Sequence, residues 1–237
     1  MAQKVMLGVC TSGSRLKMAV SAGGKVRTAQ KKIFNQELEL FPMARALLRG
    51  SGAGLRSVDT VCAVRGPGRF TGIRISLTLA GALKTMAGAE VRTVTLFEVL
   101  ALGAAETPHF KAWAAAGGSR LAALTHAFKD EYFCQLFRTG RGLPRPEGEP
   151  VWLKAQELTA MLAGLGGPLY AVADAEEEPG IYGLLPAGAA RAPAAVSRIL
   201  PAGILKAALA RGQRTLRPLY LKPAKYEIEN NVSYRGK

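Results

Sequence analysis

Hydrophobic and polar positions change period several times along the first hundred residues. Residues 5–9 form a short apolar run, and the run resumes over residues 17–20 after the small polar turn Thr11-Ser12-Gly13-Ser14. Gly23-Gly24 interrupts it, and residues 25–33 make a third strand candidate. Three strands joined by tight turns predict an antiparallel meander. Residues 37–49 space Leu40, Met43, Leu47 and Leu48 along one helical face, with Pro42 near the first turns, where a missing N–H is tolerated. Residues 59–64 then read as strand, 73–86 as helix and 91–94 as strand, which completes one α/β lobe.

The pattern starts again further on. Residues 120–124 and 132–137 predict paired strands around the polar link Lys129-Asp130-Glu131. Residues 139–150 carry three glycines, three prolines and several charges, and read as an exposed loop. Residues 153–165 predict a helix, 169–173 a strand, and the acidic run 174–178 ends at Pro179-Gly180. Residues 194–210 are rich in Ala and Leu and predict a last helix, with a frayed tail from residue 226. The division is a lobe over residues 1–103 and a second, more divergent one over 104–237. Both open on strands and close on helix, as duplication of one unit would give.

The segment 73–87 is apolar over an unusual width. Ile75, Leu79, Ala82, Leu83 and Met86 make one stripe, and Ile73, Leu77 and Ala80 extend it, leaving Arg74, Thr78 and Thr85 as the polar side. A helix lying on a sheet needs an apolar arc of little more than ~100°. Two readings follow: a helix buried on two sides by its own chain, or one side on a sheet and the other open to a partner.

Composition narrows the class. Half of the 237 residues (49%) are hydrophobic, which excludes a disordered chain. No apolar run reaches the ~18 residues that span a bilayer, and the N-terminus lacks the apolar core of a signal peptide, so the cytoplasm is expected. Cys10, Cys62 and Cys134 sit in apolar runs without metal-type spacing and read as buried thiols. The net charge is +15, and residues 191–225 hold eight basic residues and no acidic one, a segment suited to an anionic partner such as nucleic acid.

Candidate chemistry is sparse. Residues 65–75, Arg-Gly-Pro-Gly-Arg-Phe-Thr-Gly-Ile-Arg-Ile, are a glycine-rich turn feeding the wide helix. Gly66, Gly68 and Gly72 fit neither a P-loop nor a dinucleotide fingerprint, although such a loop before a helix offers N–H groups to phosphate. Thr11 and Ser12 are further phosphate candidates, but residues 1–36 contain no carboxylate for a Mg²⁺-nucleotide site. The two histidines, His109 and His126, have no partners at metal-ligand spacing, and no nucleophile–base arrangement stands out. No catalytic residue and no metal site is therefore expected.

Residues 66–75 resemble the Gly-Pro-Gly-Ser-Phe-Thr-Gly-Leu-Arg-Ile signature of the bacterial TsaB (YeaZ) family. Residues 5–12 are similar to its opening strand and turn, residues 40–48 to its first helix, and Leu96-Phe97-Glu98-Val99-Leu100-Ala101 to a later helix start. Lys129-Asp130-Glu131-Tyr132 and Pro218-Leu219-Tyr220-Leu221 resemble further landmarks. The resemblance implies a two-lobed actin-like/RNase H-like (ASKHA) α/β fold. It also implies a part in making the threonylcarbamoyl modification of the adenosine beside the anticodon of ANN-decoding tRNAs. In that family the subunit does not transfer the group. It binds the paralogue TsaD, which does, through its first two helices, and the ATPase TsaE joins them. Leu40, Met43, Leu47, Ile75, Leu79 and Leu83 are the contact candidates this implies, with self-association when TsaD is absent. The chain departs from the family pattern where Cys10 replaces an Asp and Arg69 a Ser. No cofactor is expected, with ATP or ADP at a partner interface left open. Two alternatives stay open as well: an ASKHA-type ATPase or kinase using Thr11, Ser12 and the glycine loop, and a direct tRNA-binding accessory protein.

Overall fold

The computed structural model describes residues 4–140 and 142–222. Strand β1 (Met6–Cys10) is the hub of a five-stranded sheet. On one side β2 (Arg15–Ala22) pairs antiparallel with β1, and β3 (Lys25–Lys32) antiparallel with β2, the predicted meander. On the other side β4 (Thr60–Val64) and β5 (Glu90–Val94) run parallel, giving the order β3-β2-β1-β4-β5. Side chains alternate across such a sheet. Leu7, Val9, Leu16, Met18, Val61 and Ala63 meet α1 (Gln36–Gly50) and α2 (Phe70–Ala87) in one core. Met6, Cys10, Ala19, Cys62 and Val64 face a second core on the opposite side.

That second core is built around α3 (Leu96–Ala105), whose start is fixed locally. Thr95 Oγ1 accepts from the Glu98 N–H at 3.1 Å, and Glu98 accepts from the Thr95 N–H at 2.7 Å, a reciprocal capping box. The short α4 (Pro108–Ala115) follows, with Thr107 as its cap and proline in its first turn. Its pattern is too brief to predict.

The second sheet repeats the plan of the first. β6 (Arg120–Phe128) is the hub; β7 (Glu131–Arg138) and β8 (Arg145–Lys154) pair antiparallel on one side, β9 (Leu169–Ala173) and the two-residue β10 (Ala190–Arg191) parallel on the other. Helix α5 (Ala155–Gly164) joins β8 to β9 as α1 joins β3 to β4. Helix α6 (Pro201–Arg211) follows β10 as α3 follows β5, and α3 and α6 pack together between the sheets. The duplication expected from the pattern is visible in this strand order.

Two elements differ from expectation. The loop read over residues 139–150 contains the first half of β8. Pro146 and Gly148 are accommodated because β8 is an edge strand with a register shift opposite Gln135, whose amide reaches the Glu147 and Gly148 carbonyls. The helix read over 194–210 is only Pro201–Arg211; the residues before it make turns, with Ser197 donating to the Pro193 carbonyl at 3.0 Å. The tail from residue 226 lies outside the described residues.

The chain does not stay in the second lobe. Helix α6 lies on the first sheet, and the segment after it runs back along the first lobe. Gln213 and Thr93 exchange backbone hydrogen bonds at 2.8 and 2.9 Å, and the Leu219 N–H donates to the Arg65 carbonyl at 2.7 Å. Leu216 comes against Gly81 of α2, and Tyr220 stacks on Phe70 with ring centroids 4.7 Å apart. Part of the over-wide apolar surface of α2 is thus covered by this strap.

Candidate functional site

The glycine loop is a site of backbone-to-backbone contact. Gly66 has φ +125° and Gly68 φ +141°, conformations that side chains strain. A β-carbon on Gly66 would lie 2.5 Å from the Leu219 carbonyl oxygen, and one on Gly68 would lie 2.6 Å from that of Ser12. A β-carbon on Gly72 would collide with the Thr11 carbonyl. The loop is tied down further by the Arg69 N–H, which donates to the Ser12 carbonyl at 2.8 Å, and by Thr11 Oγ1, which donates to the Gly72 carbonyl at 2.5 Å. Thr11 Oγ1 also contacts Ser76 Oγ, whose own oxygen accepts from the Thr11 N–H at 3.2 Å. Thr11, Gly66 and Gly72 of the five phosphate candidates are therefore committed to packing. Ser12 and Gly68 remain at the edge of a cleft.

That cleft, about 300 Å³, lies between the lobes. Cys10, Ser12, Gly13, Ser14, Arg15 and Lys17 line one wall; Thr125, His126, Asp174 and Glu177 line the other. The carboxylates missing from residues 1–36 arrive from the acidic run after β9. Glu177 accepts from the Ser14 N–H at 3.0 Å and from its hydroxyl at 2.9 Å. Glu176 pairs with the buried Lys17 ammonium and, at 3.4 Å, with Arg15. Burial pushes the Asp174 carboxyl up to about 6, against the pull of Lys17. Burial likewise raises the Cys10 thiol. Among the described residues no cluster of His, Cys, Asp or Glu is arranged to hold a metal ion, and the three cysteines are free and buried. His126 Nε2 lies 2.8 Å from the Lys129 carbonyl, a turn contact, and His109 contacts the Tyr170 hydroxyl at 3.1 Å.

The contact candidates on α1 and α2 separate into two sets. Leu40, Leu79 and Leu83 are buried in the first lobe's own core, whereas Met43, Leu47 and Ile75 sit half-buried at its margin. The outward surface is carried by three residues the periodicity missed, Leu38 (67% exposed), Phe41 (42%) and Phe70 (50%), and by Met86 (62%) from the predicted stripe. Phe34, ahead of α1, is 82% exposed, with the Arg69 guanidinium 5.7 Å from its ring centroid. Apolar residues outside the helical stripe, Leu38 and Phe41 above all, were the available signal.

Two similar α/β lobes closing on a cleft define the class, a two-lobed actin-like/RNase H-like fold. A family model described as TsaD, tRNA N6-adenosine threonylcarbamoyltransferase, matches residues 32–131. The tRNA threonylcarbamoyladenosine biosynthesis protein TsaB of Escherichia coli (strain K12) is 28% identical over 129 residues, 54% of this chain and 52% of that protein. The match thus spans about half the length of this curated relative. YeaZ from Pseudomonas aeruginosa shares the fold with a TM-score of 0.67 at 22% identity, over 92% of this chain and 100% of that one. A second Pseudomonas aeruginosa structure, described as similar to peptidase YeaZ, gives 0.69 at 23% identity over the same shares. These findings are consistent with the TsaB (YeaZ) family, the resemblance that residues 66–75 carry. Among the described residues no helix is long and apolar enough to cross a membrane.

Proposed function

We propose that this chain is a non-catalytic subunit that binds and supports a TsaD-type threonylcarbamoyl transferase in forming N6-threonylcarbamoyladenosine in tRNA. The observation that carries the reading is the apolar outer surface of α1 and α2. Leu38, Phe41, Phe70 and Met86 are large, exposed and drawn from two helices on one side of one sheet. Large exposed apolar side chains on neighbouring helices suit a protein-binding face. A partner with the same two-helix arrangement would complete a four-helix contact. Met43, Leu47 and Ile75 form the margin of that face, while Leu40, Leu79 and Leu83 support it from beneath. A TsaE-type ATPase joins the pair in this reading, and two copies of this chain cover the face when TsaD is lacking. ATP or ADP, if held at all, belongs at such an interface. The cytoplasm is the setting.

Co-expression with a TsaD-type protein followed by size-exclusion chromatography tests this. A single heterodimeric peak is expected, and Phe41→Glu should split it into two while the variant alone keeps its melting temperature. Separate peaks for the unaltered pair at micromolar concentration would refute the proposal.

Direct tRNA contact is a second reading, favoured by the interleaving of Phe34, Phe70 and Tyr220 with Arg69 and Arg74 on one exposed strip. Stacking rings among cations suit unpaired bases. Affinity for tRNA that falls steeply with salt, and falls again in Arg74→Ala, is the expected result.

A further inference from the structure

The register of the second sheet gathers two rings and a carboxylate at one corner. Phe128 pairs with Glu131 across the β6–β7 turn, and Phe133 pairs with Trp152 on β8. Glu131 and Phe133 are two positions apart on β7, so all four side chains share one face. Regular alternation from Thr125 would turn Phe128 to the other side. The register shift between His126 and Phe128 brings it round, as such irregularities re-aim a side chain.

The occupant of this corner comes from the end of the strap. The Lys222 ammonium is paired with Glu131 and lies 5.5 Å from the centroid of the Phe128 ring and 5.3 Å from that of Trp152. A cation within about 6 Å of an aromatic face is attracted by the ring quadrupole. An isolated surface pair contributes little. This one differs from Lys206–Glu106, whose side chains are 58% and 49% exposed, because Lys222 is 33% and Glu131 18% exposed and two rings flank the charge. The residues just before Lys222 are held elsewhere. Leu219 is bonded to the Arg65 carbonyl, Tyr220 is stacked on Phe70, and Leu221 packs on the core between the sheets. Within this short stretch the strap passes from the first lobe's glycine loop to the second lobe's hairpin.

We propose that Phe128, Trp152 and Glu131 form an alkylammonium site on the second lobe, which the chain fills with its own Lys222 and so fastens the strap across both lobes. The site takes the end of a lysine side chain or a small primary amine. Phe128 also lines the cleft, so the site stands at the cleft's rim. A free amine has to compete with a lysine tethered beside the site, a ligand at high effective concentration. Displacing Lys222 frees the end of the strap. This reading is independent of the partner-binding proposal.

The two indole N–H resonances of the full chain test it, because Trp152 belongs to the site and Trp113 packs against Tyr170. Lys222→Ala should move the Trp152 signal, leave that of Trp113, and speed amide exchange at Leu219 at least about fivefold. Lys222→Arg, which restores the charge, should keep that exchange slow. Titrating n-butylammonium into Lys222→Ala should return the Trp152 signal saturably, with a dissociation constant in the millimolar range. n-Butanol, the same stem without the charge, should not. The unaltered chain and the Lys222→Ala/Glu131→Gln variant should show no saturable response to the amine. Movement of both indole signals in Lys222→Ala would mean a disturbed fold, and Lys222→Met, which keeps the apolar stem, would then be measured in its place. A Trp152 signal indifferent to loss of the ammonium, equal responses to butanol and the amine, or amine binding that survives Glu131→Gln would each overturn the proposal.

Discussion

Gly72 leaves no space for a β-carbon against the carbonyl oxygen of Thr11. The first turn of α2 and the end of β1 touch backbone to backbone at this point, and the Thr11 hydroxyl closes the contact by donating to the Gly72 carbonyl at 2.5 Å. Gly72→Ala should therefore cost on the order of 3 kcal/mol or more, read from chemical denaturation. Gly54→Ala, in open space, is the control and should stay within about 0.5 kcal/mol. A mild Gly72→Ala would show that the approach is looser than described.

The two sides of α2 should respond differently. Leu79, 1% exposed, should lose about 2–5 kcal/mol on change to Ala. Met86, 62% exposed, should change stability by less than about 0.5 kcal/mol on the same substitution. Thermal melts of the two variants side by side check this. A partner-binding defect in Leu79→Ala would report damage to the fold, so Met86 and Phe41 are the informative positions.

Tyr220 holds the returning strap by its stack on Phe70. Tyr220→Ala should cost about 1 kcal/mol and speed amide exchange at Leu219, whose N–H donates to the Arg65 carbonyl. Unchanged exchange at Leu219 would show that the strap is held without the stack.

Asp174 makes stability depend on pH in an unusual direction for a carboxylate. Its folded value, about 6, lies above the ordinary 3.8 because burial disfavours the charge. The protonated group favours the fold, so its contribution is fully present below pH 3.8 and is lost as pH rises through about 6. The two values imply a loss on the order of 3 kcal/mol. Asp174→Asn should be more stable than the unaltered chain at pH 7.5 and equal to it near pH 4, by urea titration at each pH. An advantage independent of pH would point to packing instead.

The alternation of residues 5–33 and the glycine punctuation of residues 65–75 made the first lobe legible. The acidic run was legible as a run but not as part of a site, since Glu177 meets Ser14 across 163 positions of chain and no local spacing encodes that. The glycines were readable as a need for bare backbone, yet the thing approached proved to be Thr11, Ser12 and Leu219 in place of a phosphate. Periodicity gave the width of α2's apolar arc without assigning its sides. Leu79 and Leu83 turned to the sheet, and the strap that takes another part of the arc comes from residues 213–222. Pro146 and Gly148 argued for a loop, and only the edge position of β8 explains how they fit in a strand.

The return of α6 onto the first sheet has a consequence for synthesis on the ribosome. Met6, Cys10 and Cys62 emerge early, but one of the two helices that cover their face is made only after the whole second sheet. A nascent chain ending near residue 103 would carry a sheet half dressed, and the first lobe is completed only once α6 has emerged. Completion of the first lobe thus waits on a helix that follows the second sheet in the chain. Expressed alone, residues 1–103 should aggregate, and supplying residues 104–237 in trans should rescue them.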